Sequence, residues 1–170
     1  MTSPLAIDRF TTELFAILEE TFEQVHGIYL DRNTSLFETL NTVTAAEASR
    51  SVSVHGASIA AQVNHVRYYL DVLSGYMRQQ PMETVDWQAS WDVAAVTPPE
   101  WEALKQQLKA SYSQVLTMLK GFERWDGEED IAGALAIVVH TAYHLGEIRQ
   151  ALGVIRYVHQ ALGSIRRQTV

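Results

Sequence analysis

The sequence predicts an all-α protein, a four-helix bundle, from three observations. Apolar residues recur at three- and four-residue steps in four long stretches, which is the period of a helix with one buried face. Helix-start residues precede three of these stretches. Long aperiodic connections follow the first and second stretches, and crossovers of this length allow parallel as well as antiparallel neighbours in a bundle.

Length and composition predict one domain spanning residues 1–170. The chain has 170 residues, of which 47% are apolar, and this is enough to bury a core. The formal net charge of -7 argues against a nucleic-acid partner, and we expect the scattered basic residues near the end, among them Arg156, to lie on a solvated face.

The absence of cysteine excludes disulfides, thiolate metal sites and a cysteine nucleophile, so a metal ion would be held by nitrogen and oxygen. No uninterrupted apolar run approaches the roughly 18 to 20 residues that a membrane span needs, and the N-terminus lacks a signal-sequence pattern. We therefore expect a cytoplasmic protein without a membrane partner.

The first helix is predicted to begin at Ser3-Pro4, with serine as N-cap and proline in the first turn. Its apolar stripe is Ile7, Phe10, Leu14, Ile17, Leu18, Phe22, Val25 and Ile28. His26 lies beside this stripe and is predicted to be at the surface, or to support a site, rather than to be a ligand.

Residues 31–56 contain two capping-box signatures, Ser35 with Glu38 and Thr44 with Glu47. They predict two short helices inside a crossover that connects the long helices without forming part of the core.

Ser58 is the predicted N-cap of the second long helix, with the stripe Ile59, Val63, Val66, Leu70, Leu73 and Met77. His65 lies on the flank of this stripe, between Gln62 and Tyr69. This position suits a ligand at the rim of a pocket and equally an ordinary half-exposed histidine, and the pattern leaves both open.

Residues 79–97 form the second crossover, in which we expect Trp87 and Trp91 to pack the loop onto the bundle rather than to form a substrate box. Thr97-Pro98-Pro99-Glu100 then marks the start of the third helix. Its apolar face is Trp101, Leu104, Leu108, Tyr112, Val115, Leu119 and Phe122.

The fourth helix follows an acidic turn at residues 123–130 and is predicted to run to about His159, a solvated helix end. It is apolar nearly all round, which indicates burial on more than one side, by neighbouring helices or by a second subunit. A homodimer is therefore expected.

The fourth helix also contains His140 and His144, one turn apart on one face, with Glu147 on the same face. Such a pair can bind one ion without bending the backbone. The spacing also arises by chance, so a metal site needs a third ligand from elsewhere in the chain.

Several motifs are spread along the chain: Ser58-Ile59, His65, Asp86-Trp87, Ser90-Trp91, Pro99-Glu100-Trp101-Glu102 and His140-x-x-x-His144-x-Gly146-Glu147-Ile148. Together they resemble the motifs of the DinB/YfiT-like superfamily of metal-dependent enzymes, and the resemblance runs through nearly the whole chain. The resemblance implies an up-down-down-up bundle, often dimeric, with a metal ion bound by His65, His140 and His144. Two residues depart from the family pattern: Glu147 stands where glutamine is common, and Ala57 where tryptophan often precedes the serine.

With three neutral imidazoles as ligands, a divalent ion would keep an open coordination position for water or substrate. Zinc and nickel are the ions best suited to such nitrogen ligands. Characterised relatives include transferases and isomerases that use low-molecular-weight thiols such as bacillithiol and mycothiol, so the resemblance favours thiol activation against a small substrate over hydrolysis. The alternative is a stress-associated metal-binding protein without turnover.

Three further residues are candidates for the site. Glu147 is the candidate acid/base group or ligand orienter, and direct ligation by its carboxylate is also open. Tyr69 and Tyr143 are candidates for substrate or cofactor contacts at the rim, and simple hydrogen bonding at a helix interface is an equal alternative for both.

Overall fold

The computed structural model describes residues 6–53, 56–81 and 84–168, with side chains as far as 161. These residues form six α-helices and one 3-10 turn and contain no strand, which confirms the all-α prediction. The helices are α1 (Ile7–Phe22), α2 (Leu36–Asn41), α3 (Ala45–Ala48), α4 (Ile59–Met77), α5 (Pro98–Lys120) and α6 (Asp130–Gln168). The 3-10 turn, Ala89–Trp91, lies between α4 and α5.

The predicted helix starts are found where the structure describes them. The Ser58 side chain accepts a hydrogen bond from the backbone N–H of Ala61 at the start of α4. Capping boxes begin α2, α3 and α5, and at α5 the backbone N–H of Thr97 donates to Glu100 Oε2 at 2.7 Å. The predicted start at Ser3-Pro4 lies outside the described residues.

Helix α1 ends at Phe22, so the prediction that its stripe continues to Ile28 is wrong. The carboxylate of Glu20, which is fully buried, accepts hydrogen bonds from the backbone N–H groups of residues 26, 28, 29 and 30. The chain therefore wraps around this carboxylate instead of continuing as a helix, and Gly27 supplies a φ of 86° in the turn. His26 is at the surface, with Nε2 3.4 Å from Glu19.

The expectation that residues 31–56 stay out of the core is also wrong. Leu36, Leu40 and Ala48 of α2 and α3 are 0–1% exposed and belong to the main hydrophobic cluster. The indole N–H of Trp101, on α5, donates to the backbone oxygen of Val43 at 2.8 Å. The two short helices therefore close one side of the core, because their apolar residues share a face that the sequence pattern is too short to reveal.

Helix α6 extends to Gln168, so His159 lies inside the helix rather than at its end, and it is exposed there. Arg156 is not simply solvated: its Nε atom donates to Glu47 Oε1 at 2.8 Å, which ties α6 to α3. Residues 130–161 are long and apolar enough to cross a membrane by length and composition, with an 18-residue window of mean hydropathy 1.3, but the core helix of a soluble protein meets the same test.

Helices α4 and α6 pack closely and bring their polar residues face to face. A Cβ atom added at Gly133 would lie 2.7 Å from Sδ of Met77. Farther along the same pair of helices, Gln62 and His65 of α4 contact His144 and His140 of α6. The close approach of the two helices therefore creates the cluster described next.

Candidate metal centre

Three histidines from two helices converge in the structure. His65 lies on α4, and His140 and His144 lie on α6; each offers a ring nitrogen, and these nitrogens lie within 4.8 Å of one another. His65 and His144 are buried, and His140 is half-buried. His65 is thus the third histidine that a metal site at His140 and His144 would require.

The hydrogen bonds of His65 indicate which of its ring nitrogens bears the proton. Its Nδ1 lies 2.6 Å from Oγ of Ser90, and that hydroxyl donates its own hydrogen to the backbone oxygen of Trp87 at 2.6 Å. Ser90 must therefore accept a hydrogen bond from Nδ1–H of His65. This tautomer leaves a lone pair on Nε2, which points towards His140 at 3.2 Å.

His144 is oriented in the same way. Its Nδ1 lies 3.1 Å from Oε1 of Gln62 and 3.2 Å from Oε2 of Glu147. Because both partners are acceptors, Nδ1 carries the hydrogen and Nε2 retains a lone pair. A carboxylate behind a ligand histidine is the arrangement that fixes ring orientation at metal sites.

His140 is the third member of the cluster, and its ring is only partly hydrogen-bonded within the protein. Its Nδ1 is buried without a hydrogen-bond partner, and its Nε2 faces the lone pair of His65. Two ligand nitrogens of a tetrahedral zinc ion lie about 3.3 Å apart, close to the 3.2 Å found between His65 and His140. The spacing of these nitrogens and the unpartnered Nδ1 of His140 therefore fit a site that could hold a divalent cation.

The electrostatics of the site keep the imidazoles neutral, as metal ligands must be. Burial, with a smaller contribution from His144, lowers the pKa of His65 to about 4. Burial also lowers the pKa of His140 to about 4. Burial lowers the pKa of His144 as well, although the carboxylate of Glu147 opposes this shift.

Aromatic rings hold the imidazoles in place. Trp91 stacks on His65 with ring centroids 3.9 Å apart, and Tyr69 stacks on His140 with centroids 3.6 Å apart and an angle of 5°. Trp91 therefore packs the second crossover against α4, as expected. It also lines a cavity beside the histidines.

The cavity has a volume of about 650 Å³ and opens next to His144. Tyr143 and Glu147 line it, whereas Tyr69 is not part of its wall. The hydroxyl of Tyr143 donates to Oε1 of Glu147 at 2.8 Å. The other described lining residues are Val52, Gly56, Ala57, Gln62, Trp91, His144, Gln150 and Ala151.

Three residues that support the histidines were not assigned a role at the site from the sequence. Ser90 and Trp91 occur in a motif of the resemblance, but only the folded crossover brings them to His65. Gln62 lies one turn before His65, and that spacing is the signal that could have identified it.

The comparison with known families agrees with this geometry. The family model described as the DinB superfamily matches residues 29–148, and the chain therefore belongs to the DinB superfamily. The three histidines lie within this match. No curated protein and no solved structure matches the chain.

Proposed function

We propose that this protein is a metal-dependent enzyme of the DinB type, which binds zinc or nickel through His65, His140 and His144 and acts on a small molecule. The observation that supports this most directly is the cluster of three neutral imidazoles, two of them with tautomers that direct Nε2 lone pairs inward. When bound, such an ion supplies Lewis acidity that favours the thiolate form of a substrate thiol, or hydroxide over water, at neutral pH.

The surrounding residues would orient the ligands and the substrate. Ser90 holds His65, and Gln62 and Glu147 hold His144. The contact between Glu147 and Nδ1 of His144 supports a positioning role for this carboxylate. Tyr143 lies at the cavity, where its hydroxyl can also meet substrate, while the stacking of Tyr69 supports a role in holding His140.

The metal content of protein purified without a histidine tag tests the site. We expect near-stoichiometric divalent metal in the wild type and a loss of at least about tenfold in affinity in His65→Ala, His140→Ala and His144→Ala. His159→Ala is the matched control, because it removes an exposed histidine of the same helix as two of the ligands. Unchanged metal content in all three ligand variants would exclude this site.

Activity requires a separate experiment. Metal-loaded protein is incubated with a panel of electrophiles and low-molecular-weight thiols, and with simple esters for hydrolysis. Thiol-dependent turnover that disappears in His65→Ala would support an S-transferase or isomerase. Metal binding without turnover of any substrate would favour the alternative, a non-catalytic metal-binding protein of stress responses.

We also propose the up-down-down-up arrangement for the four long helices. Pairs of contacts support it: Met77 lies near Gly133 while His65 lies near His140, as expected for antiparallel α4 and α6. Arg78 donates to the backbone of Gln114, and Asn64 shares a cavity wall with Leu104, as expected for parallel α4 and α5.

A homodimer in the cytoplasm is the proposed form of the protein. The feature that supports the dimer is an apolar stripe along α6 whose residues are 36–73% exposed: Ile131, Leu135, Val139, Tyr143, Val154, Tyr157 and Val158. Monomers rarely leave so long an apolar surface uncovered.

A further inference from the structure

The charge of the cavity beside the histidines indicates what it can bind. Glu147 is the one acidic side chain among the described residues of its wall, and none of these residues is lysine or arginine. The remaining polar side chains are two amides, the hydroxyl of Tyr143, the ring of His144 and the indole N–H of Trp91. An anionic ligand would therefore meet a negative charge here without a cationic side chain of this wall to offset it.

The carboxylate of Glu147 is held in place and still has acceptor capacity. Oε1 receives the hydrogen bond of Tyr143 at 2.8 Å, and Oε2 lies 3.2 Å from Nδ1 of His144. An ionised carboxylate offers about four lone-pair sites, so these two contacts leave acceptor positions free. The side chain is 41% exposed, so these positions are accessible to a ligand.

Two aromatic rings accompany this carboxylate in the wall. Trp91 and Tyr143 both line the cavity, and Tyr143 is 61% exposed. The faces of tryptophan and tyrosine attract ammonium groups, with a larger effect where water is excluded. A fixed carboxylate together with two aromatic rings is an arrangement suited to an alkylammonium ion.

We propose that this cavity selects ligands that carry an ammonium group, and that Glu147 is the specificity-determining residue. The ammonium group lies against the carboxylate of Glu147 and the rings of Trp91 and Tyr143, and the remainder of the ligand extends towards the histidines. This inference names the substrate class of the proposed function, and it rests on that function in taking the cavity as the substrate pocket.

A titration of metal-free protein tests the charge preference without any metal. Benzylamine and benzoate are the matched cationic and anionic probes, and the indole N–H resonance of Trp91, assigned with Trp91→Phe, is followed by NMR. We expect benzylamine, and not benzoate, to shift this resonance, and Glu147→Gln to weaken benzylamine binding about tenfold. Glu13→Gln removes the same charge from an exposed position of α1 outside the wall and should bind benzylamine like the wild type.

Protein loaded with Co²⁺ as a spectroscopic probe provides the second measurement. Cysteamine and 3-mercaptopropionate are titrated against the visible absorption, and the ratio of their affinities is compared between wild type and Glu147→Gln, so that the different acidities of the two thiols cancel. We expect this ratio to favour cysteamine about tenfold more in the wild type. The cobalt spectrum of the variant shows whether its metal site is intact.

The outcomes separate the two proposals. Equal shifts by benzylamine and benzoate, or equal benzylamine binding in wild type and Glu147→Gln, would overturn the ammonium preference even if cobalt binds. Failure of Co²⁺ to bind the wild type would overturn the proposed metal function, and the NMR titration would still decide the ammonium preference.

Discussion

Ser90 is the residue whose small side chain links the second crossover to the candidate metal centre. It is 1% exposed, and its hydroxyl joins Nδ1 of His65 to the backbone oxygen of Trp87. The backbone oxygen of Ser90 also accepts a hydrogen bond from Nδ2 of Asn64 at 2.8 Å. One residue of the crossover thus sets both the tautomer of His65 and the position of the crossover.

Removal of this hydroxyl should weaken metal binding more than it affects the fold. In Ser90→Ala the Nδ1–H of His65 loses its acceptor, and the affinity for zinc should fall by about 10- to 100-fold. Competition with a chromophoric chelator measures this change. Ser113→Ala, which removes an exposed hydroxyl bonded only to its own helix, is the control and should keep the wild-type affinity.

Glu20 is a buried carboxylate of a different kind, and it stabilises the fold. Burial alone would raise its pKa, but the backbone N–H groups of Tyr29, Ile28, Leu30 and His26 outweigh burial and lower it to about 2. Because the pKa of Glu20 in the folded protein lies below the ordinary value of 4.5, the unfolded chain binds this proton first as the pH falls. The stability that Glu20 contributes is therefore complete above about pH 4.5 and is lost as the pH falls towards 2.

The variant Glu20→Gln should show both the size and the pH dependence of this contribution. Its amide has one acceptor oxygen for the four N–H groups, and the free energy of unfolding at pH 7 should fall by about 3 kcal/mol. Urea unfolding between pH 7 and pH 2 measures it, with the exposed Glu13→Gln as control. If both variants lost stability in acid as steeply as the wild type, Glu20 would not be the residue responsible.

At the scale of the element, the first crossover contributes two short helices, α2 and α3, to the hydrophobic core. Capping boxes define α2 and α3 although neither exceeds six residues. Short helices have little stability of their own, so α2 and α3 depend on the burial of their apolar residues against the long helices.

Leu40→Ala tests this dependence. Leu40 is 1% exposed, and its truncation should lower the free energy of unfolding by about 2 to 5 kcal/mol. Ile28→Ala, at a position 49% exposed, should change it by less than about 1 kcal/mol. Equal small effects in thermal or urea unfolding would mean that the crossover is peripheral to the core.

At the scale of the whole molecule, the apolar stripe of α6 is the feature that a single chain leaves uncovered. Val139 and Tyr143 are 67% and 61% exposed, and Tyr143 also lines the cavity. A second copy bound along this stripe would therefore lie beside the cavity, and dimerisation and ligand binding would affect each other.

Val139→Glu should convert the proposed dimer to a monomer, because it would bury an unpaired carboxylate in each half of the interface. Sedimentation equilibrium at micromolar concentration measures the change. Ile28→Glu, an exposed position outside α6, should leave the dimer intact. A wild-type protein that sediments as a monomer over this range would contradict the dimer.

The sequence by itself determined the all-α class, four of the helix starts that the structure describes, and the pair of histidines on the last helix. These features depend on residues close together in the chain: apolar periodicity, capping serines and threonines, and the spacing of His140 and His144. The resemblance added His65, which the pattern of its own helix had left open.

Only the tertiary structure decided the features that join distant segments. The end of α1 depends on a carboxylate that binds a loop up to ten residues farther along, and the burial of α2 and α3 depends on α5. The environment of His65 likewise requires Ser90 and Trp91 from the second crossover. Burial and hydrogen bonding between such segments leave no periodic signal in the sequence, since the partners are brought together only when the core forms.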